Sequence, residues 1–176
     1  MKRTEITITG LGGQGVVLVG QILGKAAVYD GNNAVQTQSY GAEARGSAAE
    51  SEVIISNGNT GFPAVRKCDI LVAMSQEALD KHAKKMRTDG FLIVDSTHVG
   101  KIPDTRARVF QIPATETAER TFGSKMYANM LVLGALAKTT GVVSSGAIRR
   151  AIEDSVPREY VKMNLEAYEK GRELVQ

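Results

Sequence analysis

The stretch Gly10-Leu11-Gly12-Gly13-Gln14-Gly15 has the residue types and spacing of a backbone site for an anion. Gly10, Gly12 and Gly15 satisfy the pattern G-x-G-x-x-G. Without a Cβ, Gly10 and Gly12 can take positive φ and let backbone N–H groups approach a ligand or another chain closely, and Gly15 allows a helix to pack tightly on the sheet. The alternative is that these glycines serve only a tight turn and close packing.

A second stretch whose residues could bind a ligand is Ser39-Tyr40-Gly41-Ala42-Glu43-Ala44-Arg45-Gly46. Small residues surround one aromatic ring, one carboxylate and one guanidinium, so this loop could lie close to a partner surface. Arg45 would then offer its planar fork to a carboxylate or a phosphate. An internal ion pair between Glu43 and Arg45, which would only stiffen the loop, is the alternative.

Other reactive residue types are scarce. Cys68 is the single cysteine, so the chain cannot form an internal disulfide or supply the roughly four cysteines of an iron–sulfur cluster, and we interpret it as a structural thiol. His82 shares a predicted helix face with apolar residues and is interpreted as a packed histidine. Neither His82 nor His98, the only other histidine, indicates a metal site. An NAD site would need an acid at the end of the second strand, where the sequence has Gln38-Ser39.

Composition limits the functional classes. The 176 residues, 43% of them hydrophobic, predict one domain over 1–176 with a sizeable core. A net charge of +3 and few aromatic residues argue against nucleic-acid binding. No apolar run approaches ~20 residues and the start lacks a signal peptide, so we expect no membrane contact and a cytoplasmic protein.

Hydrophobic periodicity positions the two stretches at the ends of strands. Strands are predicted over 6–9, 34–37, 48–56, 69–74, 91–94 and 109–112, and helices over 16–28, 75–87, 125–139, 145–154 and 158–175. The alternation predicts an α/β fold with a Rossmann-like, doubly wound, mostly parallel sheet, helices on both faces and a helical C-terminal third. Ser75, Gln76, Asp95 and Ser96 should share the carboxyl rim of the sheet with both stretches.

Two predicted helices lack a polar face. The helix over 16–28 has polar residues only on a narrow stripe, and the run over 130–137 has none. Exposed apolar surface of this extent is typical of contact with another subunit. Burial of these helices inside the domain is the alternative.

Together these motifs resemble a known family. The glycine stretch, then Gln38-Ser-Tyr-Gly-Ala-Glu-Ala-Arg-Gly46, Asp69-Ile-Leu-Val-Ala-Met-Ser-Gln-Glu-Ala-Leu79 and Asp95-Ser96 are similar to the gamma subunits of 2-oxoacid:ferredoxin oxidoreductases. The resemblance implies a complex that oxidatively decarboxylates a 2-oxo acid with coenzyme A, yielding acyl-CoA, CO2 and reduced ferredoxin. 2-Oxoglutarate is the favoured substrate, although Gln36, Gln38 and Ser39 do not choose between it and pyruvate, branched-chain or aryl oxo acids.

The resemblance also implies a division of labour among subunits. Thiamine diphosphate, Mg2+ and iron–sulfur clusters should reside on partner alpha, beta and possibly ferredoxin-like delta subunits, because this chain lacks a cluster-binding cysteine set and a thiamine motif. The isolated chain should therefore be inactive and hold no catalytic residue. We expect its two rim stretches to face the catalytic subunits and shape access of coenzyme A or substrate. A stand-alone anion-binding module or an NAD(P)-dependent dehydrogenase is the alternative.

Overall fold

A single mixed sheet forms the centre of the protein in a computed structural model that describes residues 2–41 and 47–176. Its strands are β1 (Arg3–Leu11), β2 (Asn33–Tyr40), β3 (Ala48–Ser56), β4 (Cys68–Ala73), β5 (Met86–Asp95) and β6 (Arg108–Ile112). The order across the sheet is β2-β3-β1-β4-β5-β6. Strands β1, β4, β5 and β6 run parallel, whereas β3 is antiparallel to both of its neighbours. The predicted α/β fold with a mostly parallel sheet is confirmed.

The helices cover the two faces of the sheet unequally. They are α1 (Val16–Tyr29), α2 (Gln76–His82), α3 (Ala114–Phe122), α4 (Ala128–Thr140), α5 (Ser145–Glu153) and α6 (Val161–Glu173). Ile6 and Ile8 of β1 point into a large core shared with every helix except α2. A smaller core around Leu71, Leu79 and Leu92 fills the space under α2 on the opposite face. The helical C-terminal third therefore supplies most of the main core.

Helix α4 is a core helix, and the expectation that its apolar surface contacts another subunit is wrong. All its residues from Ala128 to Ala137 are buried within the chain. The helix crosses α6 at backbone contact, because a Cβ on Gly134 would overlap the Tyr168 carbonyl and one on Gly171 would overlap the Leu131 carbonyl. Helix α6 thus covers the side of α4 that faces away from the sheet. The alternative prediction, that this helix is buried inside the domain, is confirmed.

Helix α1 is also largely covered by its own chain. Seven of its residues, including Val19, Ile22 and Leu23, are buried against the sheet and α5. Gln21, Lys25 and Val28 are its exposed residues. The apolar surface that α1 leaves to a partner is therefore much smaller than its sequence indicates.

The boundary between α2 and β5 differs from the prediction. Helix α2 ends at His82, one 3-10 turn spans Ala83–Lys85, and β5 begins at Met86, so Asp89 and Gly90 lie inside a strand rather than after a helix. Gly90 is needed there because a Cβ would come within 2.6 Å of the Asp69 carbonyl oxygen. Helix α3, which follows Pro113, was not predicted because its short, threonine-containing sequence has no long apolar stripe.

Candidate functional site

The carboxyl rim of the sheet brings the sequence-predicted residues together. Leu11 at the end of β1 pairs with Ala48, and Tyr40 at the end of β2 pairs with Ala49. The backbone N–H of Met74 donates to the Thr9 carbonyl, which places the end of β4 beside the glycine turn. Ser39, Tyr40 and Gly41 are exposed at this rim. Glu43, Arg45 and Gly46 lie outside the described residues, so their roles remain predictions.

Gln14 holds the glycine turn in shape. Its Oε1 accepts a hydrogen bond from the Leu11 N–H at 2.6 Å, and its Nε2 donates to the Met74 carbonyl at 3.0 Å. The turn is therefore fastened to the ends of both β1 and β4. Because both ends of the amide are used inside the chain, the side chain acts as a brace for the backbone around it.

The glycines have roles that differ from the expected ones. Positive φ occurs at Gly13 (89°) and Gly15 (75°), so the prediction that Gly10 and Gly12 adopt it is wrong. Gly10 is a buried strand residue where a Cβ would come within 2.5 Å of the Gln14 Oε1. Gly12 donates its N–H to the Ser47 carbonyl at 2.8 Å, which ties the turn to the start of β3.

Gly15 brings α1 close to α4 rather than to the sheet. It is the N-cap of α1 in the left-handed region, and a Cβ there would overlap the side-chain amide of Asn129. Asn129 is buried at the start of α4, donates from Nδ2 to the Gly15 carbonyl at 3.4 Å and accepts from the Met130 N–H at 2.9 Å. The amino-terminal ends of α1 and α4 consequently meet at the rim.

A cavity of about 310 Å³ lies where these ends meet. Its walls are formed by the glycine turn, by the end of β4, by the segment after β5 and by residues of the helical region: Leu11, Gly12, Gly13, Gln14, Met74, His98, Thr115, Lys125 and Ala128. None of these residues is acidic. Helix α1 has neither a side-chain cap nor an acidic residue in its first turn, so its first N–H groups and the Lys125 ammonium both favour an anion.

Sequence reasoning missed three polar residues of this cavity, namely His98, Thr115 and Lys125. They follow β5, β6 and α3, so only the topology brings them to the glycine turn. The signal that could have found them is their position immediately after parallel strands or at the start of a helix, since such positions gather at the carboxyl rim.

Ser75 and Gln76 lie at the rim as predicted and organise neighbouring segments. Ser75 caps α2, with its Oγ accepting from the Ala78 N–H at 3.1 Å. The Oε1 of Gln76 accepts from the N–H groups of Gly100 and Lys101, and its Nε2 donates to the Lys101 carbonyl at 2.9 Å. Gln76 therefore fixes the segment that follows His98, one of the cavity residues.

Asp95 is also at the rim, but its carboxylate is fully buried and used inside the chain. It accepts from the Thr115 Oγ1 at 2.5 Å, from the Thr115 N–H and from the Thr97 N–H. Ser96 donates its N–H to the Ile112 carbonyl at 2.8 Å. These contacts join β5 to the first turn of α3 and hold Thr115 in the cavity wall, which makes Asp95 a positioning residue.

Cys68 and His82 lie away from the rim. Cys68 is fully buried, and burial raises the pKa of its thiol to about 11, so it is a structural thiol as the sequence predicts. His82 is 3% exposed, and burial followed by the charges of Lys85 and Lys81 lowers its pKa to about 4. Within the described ranges, no group of three or more His, Cys, Asp or Glu side chains is arranged to hold a metal ion.

Comparison with known proteins assigns the chain to a family. The family model described as pyruvate ferredoxin/flavodoxin oxidoreductase matches residues 5–174, nearly the whole chain. The chain belongs to this family. Among curated relatives of this oxidoreductase chain, subunit KorC of 2-oxoglutarate synthase from Methanothermobacter thermautotrophicus is 51% identical over 180 residues, covering 98% of this chain and 95% of the relative.

Further relatives agree with the assignment. KorC of 2-oxoglutarate synthase from Methanocaldococcus jannaschii is 45% identical over 175 residues, covering 98% of this chain and 94% of its own. The solved gamma subunit of a keto/oxoacid ferredoxin oxidoreductase from Geobacter sulfurreducens is 43% identical with a TM-score of 0.87, covering 97% of this chain and 96% of that one. The predicted resemblance to gamma subunits of 2-oxoacid:ferredoxin oxidoreductases is confirmed.

The fold of this gamma-type chain differs from a dinucleotide-binding fold at one decisive place. In a dinucleotide-binding fold the strand next to β1 carries the ribose-binding acid at its carboxyl end. Here the antiparallel β3 occupies that place, and β2 is displaced to the edge of the sheet. The oxidoreductase chain therefore keeps the glycine turn without the second half of a dinucleotide site. Among the described residues, no helix is long and apolar enough to cross a membrane.

Proposed function

We propose that this chain is the gamma subunit of a multi-subunit 2-oxoglutarate:ferredoxin oxidoreductase in the cytoplasm. The proposal is supported by the named activity of the KorC relatives, of which three are 51%, 47% and 45% identical to this chain. The complex would convert 2-oxoglutarate and coenzyme A to succinyl-CoA, CO2 and reduced ferredoxin. Its alpha, beta and possibly ferredoxin-like delta subunits would hold thiamine diphosphate, Mg2+ and the iron–sulfur clusters.

The residues of this chain support placing the redox cofactors on partner subunits. An iron–sulfur cluster needs about four thiolate ligands, and the chain has only Cys68, which is buried with a raised pKa. The chain would contribute binding surface rather than a reacting group. We therefore expect the purified chain alone not to reduce viologen dyes when a 2-oxo acid is added, and reduction by the chain alone would overturn this part of the proposal.

The rim cavity is the observation that carries the proposed role in access of coenzyme A. Coenzyme A carries a diphosphate and a 3′-phosphate. The cavity is lined by Lys125 and the glycine turn and lies near the N-terminus of α1, so its electrostatic environment favours such a group. Arg45, from the loop that begins at this rim, would add a second cation. Both groups would bind coenzyme A without taking part in bond cleavage.

The experiment is steady-state kinetics of the reconstituted complex with Lys125→Gln. A hydrogen bond to a charged group contributes about 1.5–3 kcal/mol, so the KM for coenzyme A should rise about tenfold or more, while kcat and assembly stay unchanged. Lys162→Gln on α6, which removes the same exposed charge elsewhere, is the matched control. An unchanged KM for coenzyme A in a fully assembled Lys125→Gln complex would exclude this cavity as its site.

Arg45→Ala tests the neighbouring loop. We expect it to lower turnover of the complex more than it lowers assembly, because the guanidinium would contact substrate or coenzyme A rather than hold subunits together. Assembly is measured by size-exclusion chromatography of the mixed subunits. Normal assembly together with wild-type kinetics would show that Arg45 has no such role.

A stand-alone NAD(P)-dependent dehydrogenase is the competing function, and the strand order disfavours it. The last residues of β2, Gln38-Ser39-Tyr40, are separated from the glycine turn by the whole of β3, so an acid for the ribose hydroxyls is missing from the required place. We expect calorimetric titration of the chain with NAD and NADP to give no binding heat. Micromolar binding of either would favour the dehydrogenase.

A further inference from the structure

The side-chain hydrogen-bond donors that line the rim cavity fall into two groups. Lys125 and His98 carry donors that no other described residue engages. Gln14 and Thr115 use theirs inside the chain, since Gln14 Nε2 donates to the Met74 carbonyl at 3.0 Å and Thr115 Oγ1 donates to a buried carboxylate. An anion that enters the cavity is therefore attracted to Lys125 and His98.

Both donors of Thr115 are engaged by the carboxylate of Asp95. Thr115 Oγ1 donates to Asp95 at 2.5 Å, and the Thr115 N–H lies 3.3 Å from both carboxylate oxygens. The Thr97 N–H donates to the same carboxylate at 3.1 Å, so donors surround it. Because a carboxylate can only accept, the hydroxyl hydrogen of Thr115 is used in its bond to Asp95. Toward a ligand, Thr115 keeps only the lone pairs of Oγ1 and acts as an acceptor.

The burial of this pair fixes the polarity of Thr115. Thr115 is 6% exposed in the first turn of α3, and Asp95 is fully buried. Turning the hydroxyl hydrogen toward the cavity would take a donor away from a buried carboxylate, which is unfavourable because a buried acceptor without its donor carries the full desolvation penalty. A ligand group that lies against Thr115 is therefore stabilised when it donates a hydrogen bond.

The volume and the polarity of the cavity together select one part of coenzyme A. At about 310 Å³ the cavity is at the small end of ligand sites, which measure about 300–1,000 Å³, so it receives one end of this long molecule. The two phosphate-containing groups of coenzyme A differ in their neighbours. The diphosphate is flanked by CH2 groups, whereas the 3′-phosphate is attached to the ribose ring beside the 2′-hydroxyl. The 3′-phosphate thus offers an anion next to a hydrogen-bond donor.

We propose that the rim cavity recognises the ribose 3′-phosphate of coenzyme A. The phosphate lies against Lys125 and His98, and the 2′-hydroxyl donates a hydrogen bond to Thr115 Oγ1. This inference rests on the proposed role of the cavity in access of coenzyme A, and it names the part of the molecule that the cavity binds. Thr115 determines specificity for the 2′-hydroxyl, and Asp95 is the positioning residue that keeps Thr115 an acceptor.

The first experiment measures the KM of the reconstituted wild-type complex for coenzyme A, 2′-deoxy-coenzyme A and dephospho-coenzyme A. The assays are run at about pH 8, because a phosphate monoester with a second pKa of about 6 is then fully ionised. The KM should rise about fivefold or more without the 2′-hydroxyl and about tenfold or more without the 3′-phosphate, while kcat stays unchanged. Equal KM values for coenzyme A and its 2′-deoxy analogue would overturn the proposal without any variant.

The second experiment assigns the preference for the 2′-hydroxyl to Thr115. In Thr115→Val the ratio of the two KM values should fall to about one, whereas Thr115→Ser, which keeps the hydroxyl, and Thr117→Val, which makes the same change elsewhere on α3, should keep the wild-type ratio. A wild-type ratio in an assembled Thr115→Val complex would overturn the assignment. An unchanged KM for coenzyme A in Lys125→Gln would remove the proposed role of the cavity as well, whereas a raised KM there with no preference for the 2′-hydroxyl would overturn this inference alone.

Discussion

Lowering the pH should destabilise this protein through His82, and removing the imidazole should remove most of that effect. His82 is 3% exposed at the end of α2. Its Nδ1 has no hydrogen-bond partner among the described residues, and its Nε2 lies 3.7 Å from the Glu50 carboxylate. Burial lowers its pKa most, Lys85 and Lys81 lower it further, and Glu52 opposes them, with a result of about 4. The side chain is therefore neutral in the folded protein at neutral pH.

The sign and size of this change in stability follow from the difference between the pKa values of His82 in the folded and unfolded chain. The unfolded chain binds a proton at His82 below its ordinary pKa of about 6.5, whereas the folded chain binds it only near pH 4. The contribution of neutral His82 to stability is thus fully present above about pH 6.5 and is lost as the pH falls toward about 4. A difference of about 2.5 pKa units at 1.36 kcal/mol each gives a loss of about 3 kcal/mol.

The carboxyl of Glu52 also changes stability with pH, so the comparison must isolate the histidine. Burial raises the pKa of Glu52, which makes its contribution to stability largest at low pH and smaller as the pH rises through that raised value. The contribution of Glu52 therefore falls as the pH rises, whereas the contribution of His82 grows. Because Glu52 is present in both the wild-type and the His82→Leu protein, the difference between their stability curves reports His82 alone, apart from their coupling.

The assay is urea denaturation of the wild-type and His82→Leu chains at a series of pH values from about 7 to 4.5. The free energy of unfolding should fall more steeply with decreasing pH in the wild type than in His82→Leu. Gly146→Ala, which removes no titratable group and has open space around it, is the control and should keep the wild-type slope. Parallel curves for wild type and His82→Leu would refute the reasoning from burial.

Four further outcomes are expected. Gly171→Ala should lower the free energy of unfolding by more than about 3 kcal/mol in urea denaturation, because its methyl group would overlap the Leu131 carbonyl, whereas Gly146→Ala, with open space around it, should be neutral or stabilising by up to about 1 kcal/mol. Leu133→Ala should cost about 2–5 kcal/mol in the same assay, since this fully buried residue lies in α4; a cost near zero would place that helix at the surface. Asp95→Ala should cost about 2–3 kcal/mol, because Thr115 loses its charged acceptor, and differential hydrogen exchange should show loosening of the first turn of α3. The thiol of Cys68 should react with a disulfide reagent only after unfolding, and rapid reaction of the native chain would contradict its burial and raised pKa.

Much of the fold follows from local patterns. The run Val53-Ile54-Ile55 predicts β3, whose observed bounds match the prediction, and Ser75 predicts the start of α2 because its hydroxyl can cap a helix. The end of α2 could not be predicted, because the charged residues after His82 suit a helix as well as they suit an exposed turn. The strand position of Gly90 depends on its contact with Asp69, which no local pattern reveals.

The candidate site was only half predictable for a similar reason. The glycine turn can be predicted from the spacing of its glycines. Lys125 and Thr115 reach it from segments about a hundred residues later in the chain. The apolar run of α4 indicates burial, yet sequence alone does not say whether the cover is another subunit or the chain's own α6. The answer depends on Gly171, whose missing side chain lets the two helices approach, and this pairing is visible only in three dimensions.

The β2–β3 hairpin is paired up to the residues that flank positions 42–46. The two strands pair residue by residue from Asn33 and Ser56 to Tyr40 and Ala49, and Gly41 donates its N–H to the Ala48 carbonyl at 2.7 Å, so the connecting loop is anchored at its base. Changes in the length or sequence of a loop anchored in this way cost little folding energy. Residues 42–46 could therefore change in number or type while the sheet, the hydrogen bonds of Gln14 and the core around α4 stay intact.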